Sequence, residues 1–236
     1  MSIKSDFTPA NLSRTYRDPI ALAVLAVDLF PIVAVIQFGW GAVALVFLYW
    51  LENLVIGIYA LARMGTASLK DGWFGGLTML FIGPFFVVHY GMFCFVHGIF
   101  LTVYASFAGY GSAGFEEPVG LVKLALGSGA HMTVFVGAII VLQGIIFVRD
   151  YLMRGEWRDT DVMKEMAKPY TRIVVLHIGL FVGAAALLML GQPMIGVLAL
   201  IFIRALWGMY LTVRRRLQLD GEAANEGDAP SSLSGA

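Results

Sequence analysis

The sequence predicts an all-α membrane protein, a polytopic bundle of six transmembrane helices with both termini in the cytoplasm. Three observations predict it. Of 236 residues, 59% are hydrophobic and 14% charged, against roughly 25% charged in soluble domains, and the mean hydropathy is +0.80. Apolar runs recur at the ~20-residue length that crosses a bilayer core. Lysine and arginine gather on alternate connections, as orientation by inside positive charge requires. The net charge of zero gives no electrostatic basis for binding nucleic acid. The single cysteine, Cys94, lies inside an apolar run, which excludes a disulfide framework and a CxxC pair.

Residues 1–19 (MSIKSDFTPANLSRTYRDP and the proline's neighbourhood) are polar and lack the short apolar core and cleavage site of a secretory signal, so they are expected to stay as a cytoplasmic segment. Spans are predicted over 20–38, 42–63, 80–107, 128–148, 173–190 and 194–213, within a transmembrane domain of 20–216. The third run begins near Trp73 and reaches Phe107, too long for one perpendicular crossing. Either Pro84 divides it or one tilted, kinked helix carries it. VGLVKLALG, 119–127, reads as an interfacial helix. The tail, 217–236, is small and polar and is expected to be disordered.

With the N-terminus inside, Lys4, Arg14, Arg17, Arg63, Lys70, the six cations from Arg149 to Arg172, and Arg214, Arg215 and Arg216 all face the cytoplasm. The outer side receives only Lys123, and Arg204 lies within a span. This pattern fits a multi-pass protein of a bacterial inner membrane, with the lipid bilayer as its partner.

Ionisable side chains inside spans cost ~2.5 kcal/mol or more and are functional candidates. Here they are Asp28, Glu52 with its neighbour Asn53, His89, His97, His131, His177 and Arg204. Counted at ~1.5 Å per residue from the charged flanks, Asp28, Glu52, His97 and Arg204 share a middle layer. His89 and His177 share a layer nearer the inner face. On the third span Phe86, Tyr90, Phe93, His97, Phe100 and Tyr104 follow the spacing of a packing seam, so His97 faces protein. His89 lies ~12 Å along the axis from His97 and ~80° round it. On the second span Tyr49, Glu52, Asn53 and Ile56 share a face, and Gly57 admits a close neighbour.

Imidazole with carboxylate suits Zn, Fe or Cu, so Glu52, His89, His97 and His177 are the candidate ligands of an intramembrane metal site. Glu52 could instead act as a base beside a metal-bound water. No HExxH-type signature is present, and the sequence leaves open whether the protein is an enzyme. Haem b is the rival cofactor, held by His89 with His177, and His97 with His131 could hold a second. Gly91 and Gly98 would make room for the macrocycle. A proton-coupled transporter would use the same residues as a relay, although no inverted repeat is visible. In the plainest reading the histidines only bond helices together, at ~0.6–2 kcal/mol each. Asp28 and Arg204 are expected to form a buried ion pair between the first and last spans. LGSGAHM, 126–132, resembles the GxSG stretch of rhomboid intramembrane proteases, but the last span offers no histidine. Ser128 therefore reads as a small residue at a packing point.

WLEN at 50–53, FFVVHYGMFCFVHGIF at 85–100 and RIVVLHIGLF at 172–181 resemble, across residues 20–213, an uncharacterised family of prokaryotic six-helix membrane proteins. The resemblance implies that Glu52, Asn53, His89, His97, Arg172 and His177 form a shared polar set. Asn53 and Arg172 would then orient the ligands. It implies no activity, and Asp28 and His131 fall outside its pattern.

Overall fold

The computed structural model describes residues 8–110, 117–190 and, within 201–217, all but 203, 204, 207 and 215; side chains at 10, 172 and several positions from 175 to 190 lie outside the description. Among the described residues there is no strand. Helix α1, Pro9–Thr15, starts where local chemistry favours it: the Thr8 hydroxyl accepts the Asn11 N–H at 3.3 Å, and proline takes the first position. This helix was not anticipated within the polar N-terminal stretch. Helix α2, Pro19–Phe38, begins with the Asp18 carboxylate accepting the Ile20 N–H at 3.0 Å. There follow α3 (Ala42–Ser68), α4 (Gly72–Phe107), α5 (Pro118–Gly127), α6 (Met132–Ile146, extended by a π turn, Phe147–Met153) and α7 (Val162–Leu190).

Three helical stretches among the described residues are long and apolar enough to cross a membrane: Pro19–Phe38, Ala42–Phe107 and Met132–Met153. The second, 66 residues long, folds back on itself. A 3-10 turn, Leu69–Asp71, leads into Gly72 at φ +54°, a backbone that glycine adopts freely. A Cβ at Gly75 would run into the Ser68 carbonyl, so glycine is required where the two arms separate. The arms then run antiparallel. The Trp50 indole donates to the Cys94 carbonyl at 2.8 Å, and the Tyr90 hydroxyl donates to the Asn53 carbonyl at 3.0 Å. Gly57 admits the Tyr90 ring, which a Cβ would meet at 2.5 Å.

The run from 73 to 107 is one helix that passes through Pro84. Proline removes one backbone bond, whereas a break in an apolar environment would leave several polar groups unsatisfied, so continuity costs less. Residues 119–127 are helical as expected, and α5 buries Leu121 and Ala125 completely.

Contacts divide the chain into two units, 31–200 and 1–30 with 201–236. In the larger unit α3 is the axis. Every side chain from Ala42 to Asn53 is buried, and α4, α5, α6 and α7 all pack on it. The outward sides of the surrounding helices are apolar: Phe81, Val88, Val141 and Phe181 are each more than half exposed. Such a surface suits lipid and not water. In the smaller unit, Asp28 on α2 is buried and lies so close to Gly208 that a Cβ there would collide with its carboxylate. Gly208 follows Arg204 by four residues, but Arg204 itself, the expected ion-pair partner, lies outside the described residues, as does the tail from 218.

Candidate functional site

The buried face of α4 runs through Phe86, Tyr90, Cys94, His97, Leu101 and Tyr104. The expected stripe passed through Phe93 and Phe100, which are 38% and 53% exposed and face outward. The seam turns through Cys94 and Leu101 because the helical period is 3.6 residues, and positions 93 and 100 fall to one side of it. His97 keeps its place in the seam and is 3% exposed.

Directly against it stands His177 of α7. The two imidazole centroids are 4.1 Å apart and the rings meet edge to face at 75°. The Nδ1 of His177 donates to the Ile173 carbonyl, one turn back, at 2.8 Å. A carbonyl only accepts, so Nδ1 carries a proton, and in the neutral form of the ring the lone pair is on Nε2. Nε2 of His97 is fully buried and, among the described residues, has no hydrogen-bond partner. Buried polar atoms are nearly always bonded, so an orphan of this kind calls for an explanation.

His89 lies elsewhere. It is half-buried, stacked on Phe85 with centroids 5.1 Å apart and flanked edgewise by Phe93, and its Nδ1 shares a 2.7 Å hydrogen bond with the Tyr170 hydroxyl. The layer reading is corrected here: the histidine that meets His177 is His97, not His89. A depth taken from Arg172 treats the helix as if it began there. In fact α7 begins at Val162, so a charged flank does not mark where the helix enters the bilayer.

Glu52 is 4% exposed and is held by an interaction of its own. On the neighbouring arm Trp50 stands opposite Cys94 and Gly98, and Asn53 opposite Tyr90. Glu52 therefore sits about one turn, ~5 Å, from the level of His97. Asn53 is buried and contributes its carbonyl to Tyr90; the side chain of Arg172 lies outside the description. Among the described residues no three His, Cys, Asp or Glu side chains come together closely enough to hold a metal ion. The four expected ligands do not converge on one point, and the assembled nucleus is the His97–His177 pair.

His131 is exposed and adopts a left-handed backbone, φ +61°, at the head of α6, with its ring edge on Phe38. It is not a partner for His97. The hydroxyl of Ser128 donates back to the Ala125 carbonyl at 2.7 Å, and its neighbour Gly129 abuts Trp40, whose indole donates to the Ala130 carbonyl at 3.1 Å. That is the packing role read for this stretch. Gly98 makes room for the Trp50 indole, whereas Gly91 is exposed and a Cβ there would meet nothing within 4 Å among the described residues.

One buried acid was missed altogether. Glu165 is 0% exposed, with one oxygen paired to Lys168. The sequence placed it in a cytoplasmic loop. The signal available was a Glu and a Lys three residues apart, which share a helix face.

A family model described as a family of unknown function (DUF6498) matches residues 10–225, and the chain belongs to that family. No curated protein and no solved structure matches it.

Proposed function

We propose that this member of a family of unknown function is a six-span protein of a bacterial inner membrane, with both termini cytoplasmic, whose His97–His177 pair binds a transition-metal ion inside the helical bundle. The observation that carries the reading is the orphaned, buried Nε2 of His97 beside a ring whose tautomer leaves its own Nε2 available. A carbonyl bond to the far nitrogen is how ligating histidines are commonly oriented.

Imidazole suits Zn, Cu and Fe. Two imidazoles on one tetrahedral ion hold their centroids roughly 5 Å apart, so the pair need open by only ~1 Å to accept the ion. Water or substrate would complete the coordination, which is the open arrangement expected of a catalytic or metal-handling site. Glu52, one turn away on α3, is the nearest candidate for a carboxylate ligand or base, with Asn53 and Arg172 as orienting partners. Haem b is carried less far, because iron between two axial imidazoles separates their centroids by roughly 6 Å and the Trp50 indole occupies the recess at Gly98.

The test is elemental analysis for Zn, Fe, Cu and Mn on the detergent-purified protein, together with its visible spectrum. Near-stoichiometric metal without a Soret band, lost in His97→Ala and in His177→Ala, is the expected result. A Soret band would replace the ion with haem. Neither metal nor pigment after reconstitution would sink the cofactor reading and leave a proton relay or plain helix packing.

A further inference from the structure

A second polar site lies between α3, α6 and α7, where a cavity of about 200 Å³ is lined by residues of all three helices. From α3 come Ile56, Tyr59, Ala60 and Arg63, spaced three and four apart, so one stripe of that helix forms a wall that is apolar at first and cationic at its end. Gln143 of α6 and Lys168 of α7 add an amide and an ammonium. The charges do not cancel. Glu165 is 0% exposed and paired with Lys168, so it presents no accessible anionic surface and its charge is offset. The Arg63 guanidinium lies over the Tyr151 ring at 4.9 Å, and among the described residues no carboxylate pairs with it. The walls are tied together around it. The Tyr151 hydroxyl donates to the Arg63 carbonyl at 2.9 Å, and the Tyr59 hydroxyl donates to the Ile140 carbonyl at 2.9 Å. With the Tyr59 proton spent, the donors on offer are the guanidinium, the amide and the ammonium.

A guanidinium held among membrane helices costs free energy unless an anion meets it. One excess positive charge and three kinds of N–H donor, carried by three helices, suit a group with several anionic oxygens. A carboxylate offers two oxygens in one plane, which the Arg63 fork alone would occupy. Phosphate offers its oxygens in a tetrahedron, so the fork, the amide and the ammonium can each take a share. The volume is below the ~300–1,000 Å³ of pockets for drug-sized ligands, which limits the occupant to a small group.

We propose that this cavity binds an anionic phosphate group, carried by a lipid head group or by a free phosphate ester. Arg63 is the main contact, and Gln143 and Lys168 donate to the remaining oxygens. Ile56 and Ala60 offer an apolar wall to the carbons of the ester. Basic recesses between membrane helices on the cytoplasmic side hold lipid phosphates, and Arg63 lies on that side in the orientation proposed above. It stands five residues, ~7.5 Å, before the end of α3 at Ser68, a depth that a head group reaches.

The experiment is calorimetric titration of the full chain in a maltoside detergent, which carries no phosphate, after bound lipid has been removed and its removal checked by phosphorus assay. The probes are glycerol 3-phosphate, phosphatidylglycerol in mixed micelles, and acetate. Saturable binding of a phosphate probe is expected, about tenfold or more tighter than acetate. Arg63→Gln should weaken it about tenfold, with partial recovery in Arg63→Lys. Gln143→Ala, a milder change, should lose about threefold. His97→Ala should leave phosphate binding unchanged, which separates this site from the metal reading. Unfolding midpoints would identify any variant that fails to fold, and Arg63→Lys with Gln143→Ala would then carry the test. Phosphatidylglycerol should displace glycerol 3-phosphate if the source is lipid, and should leave its binding intact if the source is a free ester. No saturable binding of either phosphate probe, acetate binding as tightly, or an affinity unchanged in Arg63→Gln would overturn the proposal.

Discussion

His89 and His97 sit two turns apart on the same helix, in the same apolar run, yet their surroundings differ in kind. His89 is bracketed by Phe85 and Phe93 and bonded to Tyr170. Its polar requirement is met by the neighbouring helix. His97 is more deeply buried, stands edge to face with another imidazole and, among the described residues, keeps an Nε2 without a hydrogen-bond partner. A histidine that bonds two helices together is satisfied by the fold itself. One that waits for a ligand is not, and burial with an unmet nitrogen is the physical signature that separates the two.

The largest effect expected from this contrast is on metal binding. Losing a partner that merely orients a ligand costs ~10–100-fold in affinity, so His97→Ala and His177→Ala should each exceed ~100-fold in equilibrium dialysis, and His89→Phe should change affinity little. Equal losses at all three positions would erase the distinction.

Next in size are the packing glycines that hold the two arms together. Gly98→Val drives a side chain into Trp50 and Leu121, whose atoms a Cβ alone would meet at 2.9 and 3.0 Å. Overpacking of this kind costs ~1–3 kcal/mol, to be read from thermal unfolding in detergent. Gly91→Val meets nothing within 4 Å and should unfold near the parent temperature.

A smaller effect should follow at the satisfied histidine. His89→Phe and Tyr170→Phe should each destabilise by ~0.6–2 kcal/mol, and the double variant should lose less than the sum. Additivity in that cycle would mean that the hydrogen bond contributes nothing.

The smallest effect is remote from both. Asp161, just before α7, accepts the Lys164 N–H at 2.9 Å, and that bond together with the Lys164 ammonium holds its carboxyl below the usual aspartate range. A lowered folded value means that its contribution is present at neutral pH and is lost as pH falls through that value. Asp161→Ala should cost ~0.5–1 kcal/mol at pH 7, and less once acid protonates the carboxylate, with metal binding unaffected. A pH-independent cost would contradict the cap.

The helices were legible in the sequence wherever one kind of neighbour decided them. The run at 20–38 and the short helix at 119–127 fall where predicted, and Phe86, Tyr90, His97 and Tyr104 were correctly assigned to the seam. The partner of His177 was not legible, because depth was measured from charges and α7 carries Lys164, Lys168 and Arg172 within its own first turns. The axial position of α3 was hidden for a different reason. Lipid and protein core are equally apolar, so a helix buried on every side from Ala42 to Asn53 reads like one that faces lipid. Glu165 was missed because an acid among basic residues looks solvated until the fold covers it.

The most direct test of the central claim is to load the purified protein with Cu(II) and count the coordinating nitrogens from the superhyperfine splitting in its electron paramagnetic resonance spectrum. Two imidazole nitrogens are expected in the parent and in His89→Phe, and fewer in His177→Ala. A spectrum that loses a nitrogen in His89→Phe, or that stays unchanged in His177→Ala, would contradict the account.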